Sequence, residues 1–148
     1  MRYMFIVKGS ENLAASGPPP ASLFEAIGKL SEEAVRNGTM VSFGGLQPTA
    51  SGARMRLVNG KIITTDGPFT ESKEVIGGFS IFDLPSREEA IEQARIFMEL
   101  HRDHWPAWQG EVEIRQMYEE EDDVAATQIE ASRALEHSSP KSTSRAGK

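Results

Sequence analysis

Tyr3-Met4-Phe5-Ile6-Val7 is an unbroken apolar run of strand length, entered from Arg2 and closed by Lys8-Gly9. A strand buried on both faces reads as a continuous apolar run, whereas a half-exposed strand alternates, so this segment is expected to be a central strand. The rest of the chain has to be arranged around it. Gly9 to Pro20 is a loop by composition, and Gly17-Pro18-Pro19-Pro20 forms its stiff end, since three successive prolines fix an extended approach to the segment beyond. From Ala21 onward Leu23, Phe24, Ile27, Leu30, Ala34 and Val35 recur at three- and four-residue spacings, the apolar stripe of a helix that Asn37-Gly38 should stop.

Met40 to Leu46 is strand-like but interrupted by Gly44-Gly45, which predicts a bulge or a close backbone approach near its end. Ala53 to Val58 and Lys61 to Thr65 flank Asn59-Gly60, and an Asn-Gly pair between apolar runs predicts a tight hairpin because both residues tolerate a left-handed backbone. Asp66-Gly67-Pro68-Phe69 breaks that strand. Val75 to Leu84 then resumes as a strand. Ser86, with Glu89 three residues later, forms a capping box for a second helix whose inner face is Ala90, Ile91, Ala94, Phe97, Met98 and His101, and which Pro106 limits. Glu111 to Tyr118 alternates, with Val112 and Ile114 on one face and Glu111, Glu113 and Arg115 on the other, as a last strand. This order predicts an α+β fold of the ferredoxin-like βαββαβ plan with an extra hairpin. Such a plan puts both helices on one face of an antiparallel sheet and bares the other, for which a partner subunit is the economical cover. A homodimer is therefore expected.

The 148 residues suit one domain, expected over residues 1–118. Residues 119–148 change character: an acidic run, a weak helix over 121–136, then a polar tail with little to bury. With no cysteine, disulfides, thiolate metal sites and cysteine nucleophiles are excluded. The start of the chain does not read as a secretory leader, and no apolar run approaches the length of a membrane span, so a cytoplasmic protein is expected. A net charge of −6 disfavours nucleic acid as a partner. Arg54, Arg56 and Lys61 form a local basic strip on the predicted hairpin, which reads first as a solvated strand face.

The run Thr65-Asp66-Gly67-Pro68-Phe69-Thr70-Glu71-Ser72-Lys73-Glu74-Val75-Ile76-Gly77-Gly78-Phe79 closely resembles the signature of the DGPF branch of the YCII-related proteins. Arg2-Tyr3-Met4 and Gly44-Gly45-Leu46-Gln47-Pro48 extend the resemblance over about residues 1–118. The resemblance implies a dimeric α+β barrel whose two sheets pack face to face and enclose clefts near the subunit boundary. It also implies an association with extracytoplasmic-function sigma factors, beside which related genes are found. Some YCII-related members carry a histidine and aspartate pair with the histidine in the first half of the chain. In this chain the histidines are His101, His104 and His137, so that pair does not carry over.

Two candidate catalytic regions emerge. Asp66 precedes Gly-Pro, where an aspartate either accepts backbone amides to fix a turn or serves a pocket as a general base. On the same loop Glu71, Lys73 and Glu74 offer acid, cation and acid as ligand-binding groups, or simply a solvated surface. Gly77 and Gly78 before Phe79 permit close packing or the approach of a ligand to bare backbone. His101 and His104 lie on one helix face, compatible with catalysis, with capping of the helix dipole, or with half of a metal site. A third ligand is missing, so no metal is expected. Trp105 and Trp108 read as packing anchors able to wall a pocket. Phosphate-loop, dinucleotide and Gly-x-Ser-x-Gly motifs are absent, so no cofactor is expected. The expectation is a small-molecule cleft lined by the signature loop, between Asp66 and the region from His101 to Trp105. The alternatives are a non-catalytic interaction module linked to sigma-factor regulation and an enzyme akin to the monooxygenases with α+β barrels.

Overall fold

The computed structural model describes residues 1–12, 16–69, 74–119, 129, 130 and 133. In chain order the elements are β1 (Arg2–Gly9), α1 (Ala21–Arg36), β2 (Met40–Gly45), a short 3-10 turn (Thr49–Ser51), β3 (Ala53–Val58), β4 (Lys61–Asp66), β5 (Val75–Asp83), α2 (Arg87–His104) and β6 (Glu111–Gln116). Four strands form one sheet in the order β2-β5-β1-β6, every pairing antiparallel. This is the ferredoxin-like α+β plan that the order of elements predicts, with β1 inside the sheet as its continuous apolar run requires.

Strand alternation sorts the sheet into two faces. Tyr3 and Phe5 of β1 pair with Phe82 and Ser80 of β5, and this face packs on Ala34 of α1 and on Ala90 and Ala94 of α2, with Leu84, Met40, Val112 and Ile114 completing the core. The small alanines let both helices lie close to the aromatic sheet surface; the Phe5 and Phe82 rings meet at 4.8 Å. Met4, Ile6, Phe79 and Ile81 occupy the opposite face, away from the core on which α1 and α2 pack. The stripe predicted on α1 is wider than the surface it buries. Leu23 and Ala34 are buried, but Phe24 is 62% and Val35 53% exposed; on α2, Ile91 is likewise 43% exposed.

Local signals explain the ends of the elements. Gly38 takes φ +79° just past α1, the left-handed stop that Asn37-Gly38 announced. At the start of α2 the Ser86 hydroxyl accepts the Glu89 amide at 3.1 Å, and Glu88 and Glu89 place negative charge on the first turn. The Asn59-Gly60 turn has both residues at positive φ, 50° and 77°, so β3 and β4 pair as a tight ribbon. That ribbon is a separate two-stranded sheet, not an extension of the main one. Gly77 and Gly78 lie inside β5, where a Cβ on Gly78 would stand 3.1 Å from the Gly44 carbonyl oxygen, whereas one on Gly77 would meet nothing within 4 Å.

The chain clusters into two compact units, Met1–Met117 and Tyr118–Lys148. In the second, residues 129, 130 and 133 are helical, and the rest of the helix expected over 121–136 lies outside the described residues. Among the described residues no helix is long and apolar enough to cross a membrane.

Candidate functional site

Between the helix-bearing face of the sheet and the two helices lies a cavity of about 660 Å³. Phe5, Val7 and Val112 supply its floor from the sheet, Phe24, Ile27 and Leu30 its wall from α1, and Phe97 and His101 its wall from α2, with Trp105 and Trp108 closing one end. Of the two exposed residues of the α1 stripe, Phe24 lines this space and Val35 does not.

His101 is the polar centre of the wall. It sits in the last turn of α2 and is 6% exposed. Its Nδ1 lies 3.0 Å from the Phe97 carbonyl, one helical turn back, and a carbonyl can only accept. Nδ1 therefore carries the hydrogen, and Nε2 is left with its lone pair as an acceptor. Burial holds the imidazole below its ordinary pKa, against a smaller opposing effect of the Phe97 bond, so the ring is neutral near pH 7. No buried side-chain nitrogen or oxygen among the described residues lacks a partner. Since Nε2 has no described hydrogen-bond partner, it must keep open contact, and the space available to it is the cavity.

Aromatic packing fixes this ring. Phe97 and Trp108 both pack on the His101 ring, each with a centroid distance of 4.4 Å, and Trp105 stacks on Trp108 at 6.0 Å. The Trp105 amide caps α2 on the His101 carbonyl, and its indole N–H donates to the Ser16 carbonyl at 2.8 Å, tying the end of the helix to the loop after β1. Two glycines seat the Trp108 edge: a Cβ on Gly110 would fall 1.8 Å from the ring, and one on Gly9 would meet its Nε1 at 3.1 Å.

The charged side chains at the mouth are already engaged. The Glu11 carboxylate accepts the hydroxyl of Thr49 at 2.7 Å and also its amide, and these bonds hold it below the usual carboxylate range. Lys8 pairs with Glu113, a hydrogen bond that raises the lysine and lowers the glutamate, while Glu111 lies 3.6 Å from the same ammonium. By contrast, Ser31, Ser80 and Gln93 line the cavity as neutral polar groups.

Of the residues expected to form a site, His101, Gly77, Gly78, Phe79 and Trp105 line the cavity, and Asp66, Glu74 and His104 do not. Glu71 and Lys73 lie outside the described residues. Asp66 ends β4 and is exposed. The turn expected of it does not form: two residues on stands Pro68, which has no amide hydrogen, and the Gly67 amide donates to Gly52 at 2.9 Å instead. The peptide between Gly67 and Pro68 is cis. Among the described residues no three His, Cys, Asp or Glu side chains converge as a metal site. The Glu11–Thr49 clamp and the glycine seat of Trp108 were not foreseen; the only advance signal was the density of Gly, Pro and Trp between Trp105 and Gly110.

Residues 1–121 match the YCII-related domain. An uncharacterized protein of Rhizobium meliloti (strain 1021) is 44% identical over 50 residues, which are 34% of this chain and 40% of that protein, so the match spans less than half of either. Among solved structures, 5-chloro-2-hydroxyhydroquinone dehydrochlorinase from Burkholderia phenoliruptrix AC1100, in complex with 2,5-dihydroxybenzoquinone, aligns over 83% of this chain and 100% of its own at 15% identity, with a TM-score of 0.34.

Proposed function

This chain belongs to the YCII-related family, and on that premise we propose that it binds a small, uncharged, largely apolar molecule between the sheet and the helices, with His101 orienting it or taking its proton. The observation that carries this reading is the fixed neutral imidazole. With Nδ1–H held by the Phe97 carbonyl, Nε2 is a pre-oriented acceptor on an otherwise apolar wall. A cavity of about 660 Å³ lies within the range of ligand pockets, and such pockets combine apolar walls with few convergent polar groups. The engaged state of Glu11 and Lys8 favours an uncharged ligand, because a charged one would enter without an uncommitted counter-ion. The chemistry falls to His101 and not to Asp66 or His104, since neither of those side chains lines the cavity. An imidazole so placed suits general-base work on an O–H, N–H or acidified C–H, or plain recognition of a hydrogen-bond donor.

We place the chain in the DGPF branch on its Asp66-to-Phe69 run, and we read the helix-free sheet face as the surface on which two copies pair. The test begins with a thermal-shift and tryptophan-fluorescence screen of phenols, indoles and aromatic amides. A ligand at one hundred times its Kd should add about 2.7 kcal/mol to the parent's stability, and its arrival beside Trp105 and Trp108 should change their emission. His101→Phe keeps a ring against Phe97 and Trp108 but removes the acceptor; it should fold and bind the hit at least tenfold more weakly. Unchanged affinity in folded His101→Phe would show that the imidazole does not recognise the ligand.

A further inference from the structure

Every residue of β3 and β4 is exposed. The register places Met55 opposite Thr64 and Leu57 opposite Ile62, so one face of the ribbon carries Met55, Leu57 and Ile62 at 70%, 76% and 71% exposure. Its other face carries Arg54, Arg56 and Lys61 with Val58 and Ile63 between them, the last two less exposed at 37% and 48%. A two-stranded ribbon alone is marginal in water and needs further strands or a packed face. The main sheet does not supply them, because β3 and β4 form a sheet of their own.

We infer that the ribbon is an arm that docks its Met55, Leu57 and Ile62 face on the helix-free sheet face of a second copy of this chain. This rests on the pairing of two copies proposed for that sheet face and specifies how it is made. Each copy offers the complement: a sheet face with Met4, Ile6 and Ile81 along it and Ile76 exposed at 45%, bordered on β6 by Glu111, Glu113 and Arg115. Charge points to the same occupant. Ala53 to Thr65 contains three cations and no acid, so removing them from a chain of net −6 leaves −9 on the remainder. Arg54 lies 4.2 Å over the Phe69 ring, but Arg56 and Lys61, nearer the tip, make no ion pair among the described residues. The arm is thus attracted to the acidic body of another copy, while an anionic membrane or nucleic acid would be repelled by that body. Two arms exchanged across a two-fold axis close the assembly with the Met55, Leu57 and Ile62 face of each ribbon covered.

The experiment uses the full chain, whose lack of cysteine makes introduced thiols unambiguous. Sedimentation equilibrium should show a dimer for the parent and, for Leu57→Glu with Ile62→Glu, a dissociation constant higher by on the order of a hundredfold. Because both side chains are exposed within one chain, the double variant should keep the parent's near-ultraviolet circular dichroism as a monomer. Leu57→Cys with Ile76→Cys, treated with a short bis-maleimide, should give covalent dimers joined from arm to sheet. A monomeric parent overturns the pairing itself. A dimeric parent with an equally tight double variant overturns the arm while leaving the pairing intact. Failure of the cross-link, or arm-dependent binding of the parent to anionic vesicles, overturns the assignment of the second copy's sheet as the occupant.

Discussion

Gly67→Ala probes whether the signature loop is architecture. A Cβ built on Gly67 would stand 1.7 Å from the Thr49 carbonyl oxygen and 2.6 Å from its carbon, against the 3.4 Å and more of ordinary contact. Both atoms are backbone, so no side-chain rotation relieves the clash. The two segments must separate, and the Gly67 amide then draws away from the Gly52 carbonyl it donates to at 2.9 Å. Thr49 is in addition the residue that Glu11 holds through amide and hydroxyl, so the displacement strains the clamp at the cavity mouth. Overpacking costs about 1–3 kcal/mol, and a weakened hydrogen bond about 1 kcal/mol more. A loss of about 3 kcal/mol corresponds to a melting temperature lower by roughly 10 °C for a chain of this size. The assay is a reversible thermal or urea melt followed by far-ultraviolet circular dichroism. A Gly67→Ala protein melting within about 2 °C of the parent would show that the close approach of Gly67 to Thr49 is not part of the stable fold.

His101 makes the fold acid-sensitive in a defined window. Its folded pKa is depressed by burial, so its contribution is intact above the ordinary histidine value of 6.5 and is lost as pH falls through the lower folded value, at a slope of up to about 1.4 kcal/mol per pH unit. Urea melts should resolve this step below pH 6.5, and His101→Phe should abolish it while leaving the loss at lower pH, where Glu11 and Asp83, both depressed, become protonated. Ser86→Ala removes the acceptor of the Glu89 amide and should cost about 1 kcal/mol in the same melts without altering ligand affinity, since the cap stands at the far end of α2 from His101.

The parts of the fold that were legible in the sequence are those set by neighbours along the chain. Tyr3 to Val7 announces a central strand, Asn59-Gly60 a two-residue turn and Ser86 a helix start, because each effect acts within a few residues. The site depends on contacts of another kind. Glu11 meets Thr49 across 38 positions and Trp105 meets Ser16 across 89, and nothing in either local pattern names its partner. Apolar periodicity was equally silent on whether facing stripes would meet. Phe24 has the spacing of a core residue, yet it ends on the wall of an open space.

That space persists for a reason visible in the wall opposite Phe24. At the start of α2 the inner face is Ala90 and Ala94, which let the helix lie against the sheet; a turn further on it is Phe97 and His101, backed by Trp108 and Trp105. These rings cannot fold into the gap they border. Trp108 is held between Gly9 and Gly110, Trp105 is bound to the Ser16 carbonyl, and His101 is fixed by the Phe97 carbonyl. A core lined by Leu or Met would close by changing rotamers, whereas this wall has its torsions already spent on contacts behind it. The cavity is thus maintained by the same bonds that set the His101 tautomer, so the geometry that presents Nε2 as an acceptor also keeps open the volume in which a ligand would meet it.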